Sequence, residues 1–200
     1  MKIIGITGGV GAGKSQILSY LDEKYKAKVV LADDIGNEVK EPGEECYEKI
    51  VGLLGTGILQ DDGTIDKGLM AKAIFADKEL LKQVNEIIHP AVIGKIRQKA
   101  KDAEKSEVCN LFVIEAALLI GSGLEPMLDE LWYIYTDMDV RISRLMSSRG
   151  YSAEKCESII SKQLTDEQFR AAADVIIDNS GDIEATYRQI DEKLSKTYGE

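Results

Sequence analysis

Histidine, tryptophan, proline and cysteine are all scarce in this 200-residue chain, which has one His, one Trp, three Pro and three Cys. A single histidine, His89, removes His-rich metal sites and any Ser-His-Asp triad. The cysteines Cys46, Cys109 and Cys156 are odd in number, widely spaced and form no Cys-x-x-Cys, which argues against a disulfide framework or a zinc site. No apolar run approaches the roughly 20 residues that span a bilayer. The start, one Lys and then Ile3-Ile4-Gly5-Ile6, runs straight into glycines and does not read as a signal peptide. Positive charge is short as well: 25 Lys+Arg against 35 Asp+Glu leave a net −10. That balance argues against a duplex-binding surface, whose affinity comes from cations neutralising phosphates. A local nest of N–H groups with a few cations can still hold a small anion. The expectation is a reduced, soluble, cytoplasmic protein with neither nucleic acid nor membrane as partner.

What the chain does have is ordinary globular material, 44% hydrophobic and 30% charged, enough for one domain with a substantial core. Short apolar runs alternate with segments of helical period. Lys2–Thr7, Lys28–Leu31, Leu111–Ile114, Leu131–Tyr135 and Val175–Ile177 read as strands. Ser15–Tyr25 reads as a helix, and Ile183, Tyr187, Ile190 and Leu194 mark a closing amphipathic one. Leu80, Leu81, Val84, Ile87 and Ile88 recur at helical spacing until Pro90 punctuates, and a second helix is expected through Val92, Ile93, Ile96 and Ala100. This alternation predicts an α/β fold with a five-stranded parallel sheet covered on both faces. The stretch from about 38 to 107 predicts a helical insertion. A core of about 1–37, 108–138 and 170–200 would surround it, with a lid of about 139–169.

The strongest motif is Gly8-Gly9-Val10-Gly11-Ala12-Gly13-Lys14-Ser15, which fits G-x-x-x-x-G-K-[ST] between an apolar strand and an amphipathic helix. Glycines let the backbone curl with its N–H groups inward, and the helix N-terminus adds its positive end. Lys14 would reach the terminal phosphates of a nucleoside triphosphate, and the Ser15 hydroxyl would ligate Mg²⁺. Glu115 closes the run Leu111–Ile114 at the carboxyl end of a buried strand. It reads either as a Mg²⁺ partner, directly or through water, or as an ordinary strand-end carboxylate. Asp33 and Asp34 follow the second strand. One of them suits a base that orients an attacking hydroxyl, while either suits a helix cap. Arg141, Arg144 and Arg149 precede the hinge Gly150-Tyr151-Ser152 and an expected helix Ala153–Leu164 that carries Gln163 near its end. The arginines read as a lid over the γ-phosphate or, more blandly, as a salt-bridged helix face.

In order and spacing these residues resemble the dephospho-coenzyme A kinase family over nearly the whole chain. The match runs through Gly5–Ser15, Ala32-Asp33, Val39-Lys40-Glu41-Pro42-Gly43, Asp62–Asp66, Ile74-Phe75 and Ile88-His89-Pro90. It continues through Leu118-Leu119, Gln163 and Ala173–Asn179. The resemblance implies a three-layer P-loop kinase fold and transfer of phosphate from ATP to the ribose 3′-hydroxyl of dephospho-coenzyme A. Asp33 would then act on the acceptor hydroxyl, with His89 and Leu118 on the acceptor side. Gly8, Gly9, Gly11, Ala12, Gly13, Lys14, Ser15, Gln16, Arg144, Arg149 and Asn179 would contact ATP, Asn179 beside the adenine. The chain departs from the family pattern at Leu31, Asn37, Gln16, Ala117 and Gly121, and its lid is one residue longer between Arg144 and Arg149. A kinase for another nucleotide or small alcohol, and a nucleotide-dependent switch, are the competing readings.

Overall fold

The computed structural model describes residues 1–75, 77–106 and 109–198. Its five strands are β1 (Lys2–Thr7), β2 (Lys28–Leu31), β3 (Leu111–Glu115), β4 (Glu130–Tyr135) and β5 (Val175–Asp178). They form one parallel sheet in the order β2-β3-β1-β4-β5. Central strands of such a sheet are covered on both faces, so they are apolar throughout. Ile4, Ile6, Phe112, Val113, Ile114, Trp132 and Ile134 accordingly have no exposed surface. The edge strand β5 instead alternates, with Val175 and Ile177 buried and Ile176 exposed. The expected α/β class and five-stranded parallel sheet hold.

The helices among the described residues are α1 (Lys14–Tyr25), α2 (Ala32–Glu38), α3 (Glu45–Leu54), α4 (Lys67–Phe75), α5 (Lys78–Ser106), α6 (Met138–Arg149), α7 (Ala153–Ile160), α8 (Asp166–Ala172) and α9 (Ile183–Tyr198). No helix among them is long and apolar enough to cross a membrane. The chain divides into two compact units, Met1–Val29 with Glu107–Glu200, and Val30–Ser106. The expected junction between helical region and core, at residues 107 and 108, lies outside the described residues.

In the first unit, register places Ile6 opposite Glu115, Thr7 opposite Tyr133 and Tyr135 opposite Asp178. The carboxyl ends of β1, β3, β4 and β5 therefore share one edge, the edge where parallel α/β sheets hold ligands. Helices α1 and α9 are joined by a stacked pair, Tyr20 and Tyr187, with ring centroids 3.8 Å apart. Asp191 on α9 accepts from Tyr20 at 2.8 Å, Tyr25 at 2.6 Å and Lys24 at 2.7 Å.

In the second unit, α2, α3 and α4 pack against α5. The unit begins at Val30, ahead of the expected helical stretch, and one helix within it differs from expectation. Pro90 does not separate two helices; α5 runs through it for 29 residues. Proline forgoes the bond to the carbonyl four residues back and crowds that carbonyl with its ring, and here Glu86 and Pro90 both lie on the exposed face. The buried face, Val84, Ile96 and Ala100 with half-buried Ile88 and Val92 between them, keeps its four-residue spacing across the proline. Burial of that stripe outweighs one missing hydrogen bond.

Two further expectations shift. The helix expected over Ala153–Leu164 stops at Ile160, and Gln163 lies in the turn that follows. There Lys162 and Gln163 bond to the carbonyls of Ile159 and Ile160, a tighter winding than α-helix. Thr165 and Gln168 then open α8 with a reciprocal capping box. Neither Asp33 nor Asp34 caps α2: Leu31 is the N-cap, and both acids sit in the first turn.

Candidate active site

β1 ends at Thr7, and the chain turns through Gly8–Gly13 into α1. Gly13 is the N-cap of α1 with φ +81°, a left-handed conformation that glycine adopts without cost. A side chain there would also overlap the Asn179 amide. Starting the helix at Lys14 turns its first free N–H groups and its dipole toward the loop, the arrangement that holds anions. Lys14 folds back over the loop, donating to the Gly8 carbonyl at 2.8 Å and lying 3.5 Å from the Glu115 carboxylate. Ser15 and Gln16 are exposed on the first turn of α1. The strand-end acid expected at 115 thus stands beside Lys14.

The loop is held at two points. The Ala12 carbonyl accepts from Asn179 Nδ2 at 2.7 Å, Thr136 Oγ1 at 3.1 Å and Arg144 Nη1 at 3.4 Å. Arg144 also donates to the Asn179 carbonyl at 3.0 Å. Asn179 is fully buried, and its Oδ1 accepts from Thr186 at 3.0 Å. Its side chain braces the loop with one amide N–H and one oxygen lone pair engaged. The second point is Val10. Its N–H donates to Gln163 Oε1 at 3.0 Å, and its carbonyl accepts from Arg141 Nε at 2.9 Å.

Arg141 is half-buried, and desolvation pulls its pKa below the ordinary value. Arg149 ends α6 exposed, and Leu118 is exposed in the segment after β3. The sequence reading missed Thr136, Thr186 and the joint action of Arg141 and Gln163 on one peptide. Their only sequence signal was position: Thr136 and Asn179 immediately follow β4 and β5, on the edge where the loop lies.

The second unit holds Asp33 and His89. Asp33 is exposed in the first turn of α2. Lys40, half-buried nearby, has its pKa lowered by burial and then by the charge of Lys67, while Cys46 and Asp33 oppose the shift. Lys40 and Lys67 thus feel each other's charge, which Asp33 partly offsets, a grouping the sequence reading did not assemble. His89 lies exposed on α5, lining a cavity of about 500 Å³ with Leu81, Asn85, Glu86 and Pro90. The three cysteines are buried and free.

A parallel sheet with its first strand central, a glycine loop running into a helix, and a lysine over that loop define the class of P-loop kinases. The model of the dephospho-CoA kinase family matches residues 2–185. The dephospho-CoA kinase of Shouchella clausii is 39% identical over 194 residues, covering 97% of this chain and 98% of that protein. A crystal structure from Thermus thermophilus superposes with a TM-score of 0.79 at 26% identity, covering 98% of this chain and 97% of its own. The dephospho-CoA kinase from Campylobacter jejuni shares the fold, with a TM-score of 0.74 at 22% identity over 100% of this chain and 99% of its own. The chain belongs to the dephospho-CoA kinase family.

Proposed function

We propose that this protein transfers the γ-phosphoryl group of ATP to the ribose 3′-hydroxyl of dephospho-coenzyme A, yielding coenzyme A and ADP in the cytoplasm. The observation that carries the reading is the family match from residue 2 to 185, which takes in the helical unit as well as the phosphate loop. Buried free cysteines suit the reducing compartment.

The loop amides and Lys14 hold the β- and γ-phosphates, and Arg144 turns to the γ-phosphate. Turning there gives up the 3.4 Å contact with Ala12 and the 3.0 Å bond to the Asn179 carbonyl, which hydrogen bonds to a charged phosphate oxygen outweigh. Asp33 accepts the proton of the 3′-hydroxyl as its oxygen forms the new bond to the γ-phosphorus. The bond from that phosphorus to the bridging oxygen breaks, and ADP carries the electron pair away. Lys40 and Lys67 suit the acceptor's pyrophosphate, while His89 and Leu118 remain proposed acceptor contacts.

The residues present fit Mg²⁺ brought in by the nucleotide. No cluster of three or more His, Cys, Asp or Glu that could hold a metal exists among the described residues, so the phosphates would supply most of its oxygen ligands. The Ser15 hydroxyl and Glu115 would be the protein groups that join them. When bound, the ion neutralises charge developing on the phosphate oxygens.

The test is an acceptor panel of dephospho-coenzyme A, AMP, UMP and shikimate with ATP and Mg²⁺, scored by ADP release and by the mass of the product. Preferred turnover of any acceptor but the first would overturn the substrate. Asp33→Asn is expected to keep ATP affinity and lower kcat by roughly 10²–10⁴. Turnover at the wild-type rate would remove Asp33 from catalysis.

A further inference from the structure

We infer that Arg141 and Gln163 are positioning residues of the phosphate loop, which together clasp the Val10 peptide and set how tightly the loop takes a polyphosphate. Three hydrogen bonds close a ring. Arg141 Nε donates to the Val10 carbonyl at 2.9 Å, Arg141 Nη2 donates to Gln163 Oε1 at 2.7 Å, and the Val10 N–H donates to that same oxygen at 3.0 Å. An amide oxygen has two lone pairs, so Gln163 Oε1 is saturated, and losing either donor leaves the other misaligned. The two side chains sit on different elements, α6 and the turn after α7, yet both act on one residue of the loop.

Gly9 supplies an independent observation. It is absent from the positive-φ glycines, so no backbone conformation demands it. A Cβ at this position would instead overlap the Arg141 guanidinium. Gly9 is small because Arg141 lies flush against the loop. Arg141 is half-buried, and both acceptors named for it are neutral, so its positive charge remains to act on an anion in the loop. Fixing both polar groups of Val10 beforehand spares the loop the cost of ordering itself when a polyphosphate arrives.

The inference rests on the reading of the loop as a triphosphate cradle, so the probe is inorganic tripolyphosphate alongside ATP. Affinities by calorimetry and steady-state kinetics are measured for Arg141→Ala, Gln163→Ala, Gly9→Ala and the double variant R141A/Q163A, with unfolding midpoints to verify folding. Each single substitution is expected to weaken tripolyphosphate and ATP in parallel, about tenfold, and to raise KM for ATP by more than it lowers kcat. The double variant should be no weaker than its weaker parent, because one clasp cannot be lost twice. Arg141→Lys should fail to restore affinity, since an ammonium lacks the guanidinium's planar fork. Gly9→Ala reaches the same clasp from the loop side and keeps the test open should an Arg141 variant misfold.

Multiplicative losses of about a hundredfold in the double variant would overturn the clasp. So would wild-type affinity in all the variants, or a fall in kcat at unchanged affinity, which would place Arg141 on the transferred phosphate. Failure of the wild-type protein to bind tripolyphosphate would instead overturn the cradle, and the clasp with it.

Discussion

Ala12 and Val10, two residues apart in the same loop, are held by different parts of the protein. Ala12 is gripped by Thr136 and Asn179, which directly follow strands β4 and β5, so its anchor is as fixed as the sheet. Val10 is gripped by Arg141 and Gln163, on α6 and the turn after α7, in the region read as a lid. The difference separates two jobs. One anchor makes the loop exist as a shape; the other ties its affinity to the placement of α6 and the turn after α7. Loss of the first should therefore appear mainly in stability, and loss of the second mainly in binding.

Gly13→Ala should break the sheet-side anchor hardest, because it combines a left-handed φ with overlap on the Asn179 amide. We expect about 2–4 kcal/mol of destabilisation in urea, followed by fluorescence of the buried Trp132, together with loss of ATP binding. Asn179→Ala removes the donor to Ala12 and leaves Thr186 one acceptor short, for about 2 kcal/mol. Preference between ATP and GTP should not move; a shifted preference with stability intact would return Asn179 to the base. Thr136→Val removes the weaker of the two sheet-side donors, for about 1 kcal/mol and a smaller loss of ATP affinity.

The smallest effect belongs to a control in the helical unit. The hydrogen bond from Lys99 does most to hold the Glu38 carboxyl below its ordinary pKa, against some desolvation. A lowered folded pKa contributes stability above the unfolded value, about 4.3, and loses it as pH falls through the lowered one. Glu38→Gln should thus cost less than about 0.5 kcal/mol at neutral pH, with the gap to wild type closing only in acid. Tripolyphosphate affinity should stay at the wild-type value.

Much of this was legible in the sequence, for identifiable reasons. Gly8–Ser15 announces itself because glycines, Lys and Ser must stand at fixed offsets for a backbone to wrap a phosphate. The strands announce themselves because a parallel sheet needs unbroken apolar runs. Pro90 misled because proline ends a helix or merely weakens it according to what its neighbours bury, and that depends on tertiary packing. Asn179 was placed beside a base through the family resemblance; its burial against Ala12 and Thr186 required the fold. Arg141 and Gln163 lie 22 positions apart and meet only because α6 and α7 double back. Spacing says nothing of such a meeting.

Of the five strands, the one synthesised earliest is the middle strand of the sheet. β1 pairs with residues 111–115 on one side and 130–133 on the other, so both its edges stay bare while more than half the polypeptide is still being translated. At roughly 5–20 residues per second that interval lasts on the order of ten seconds, a long exposure for an apolar segment with two unpaired sides. The nucleotide loop, which follows β1 directly, is consequently among the last features of the molecule to take shape.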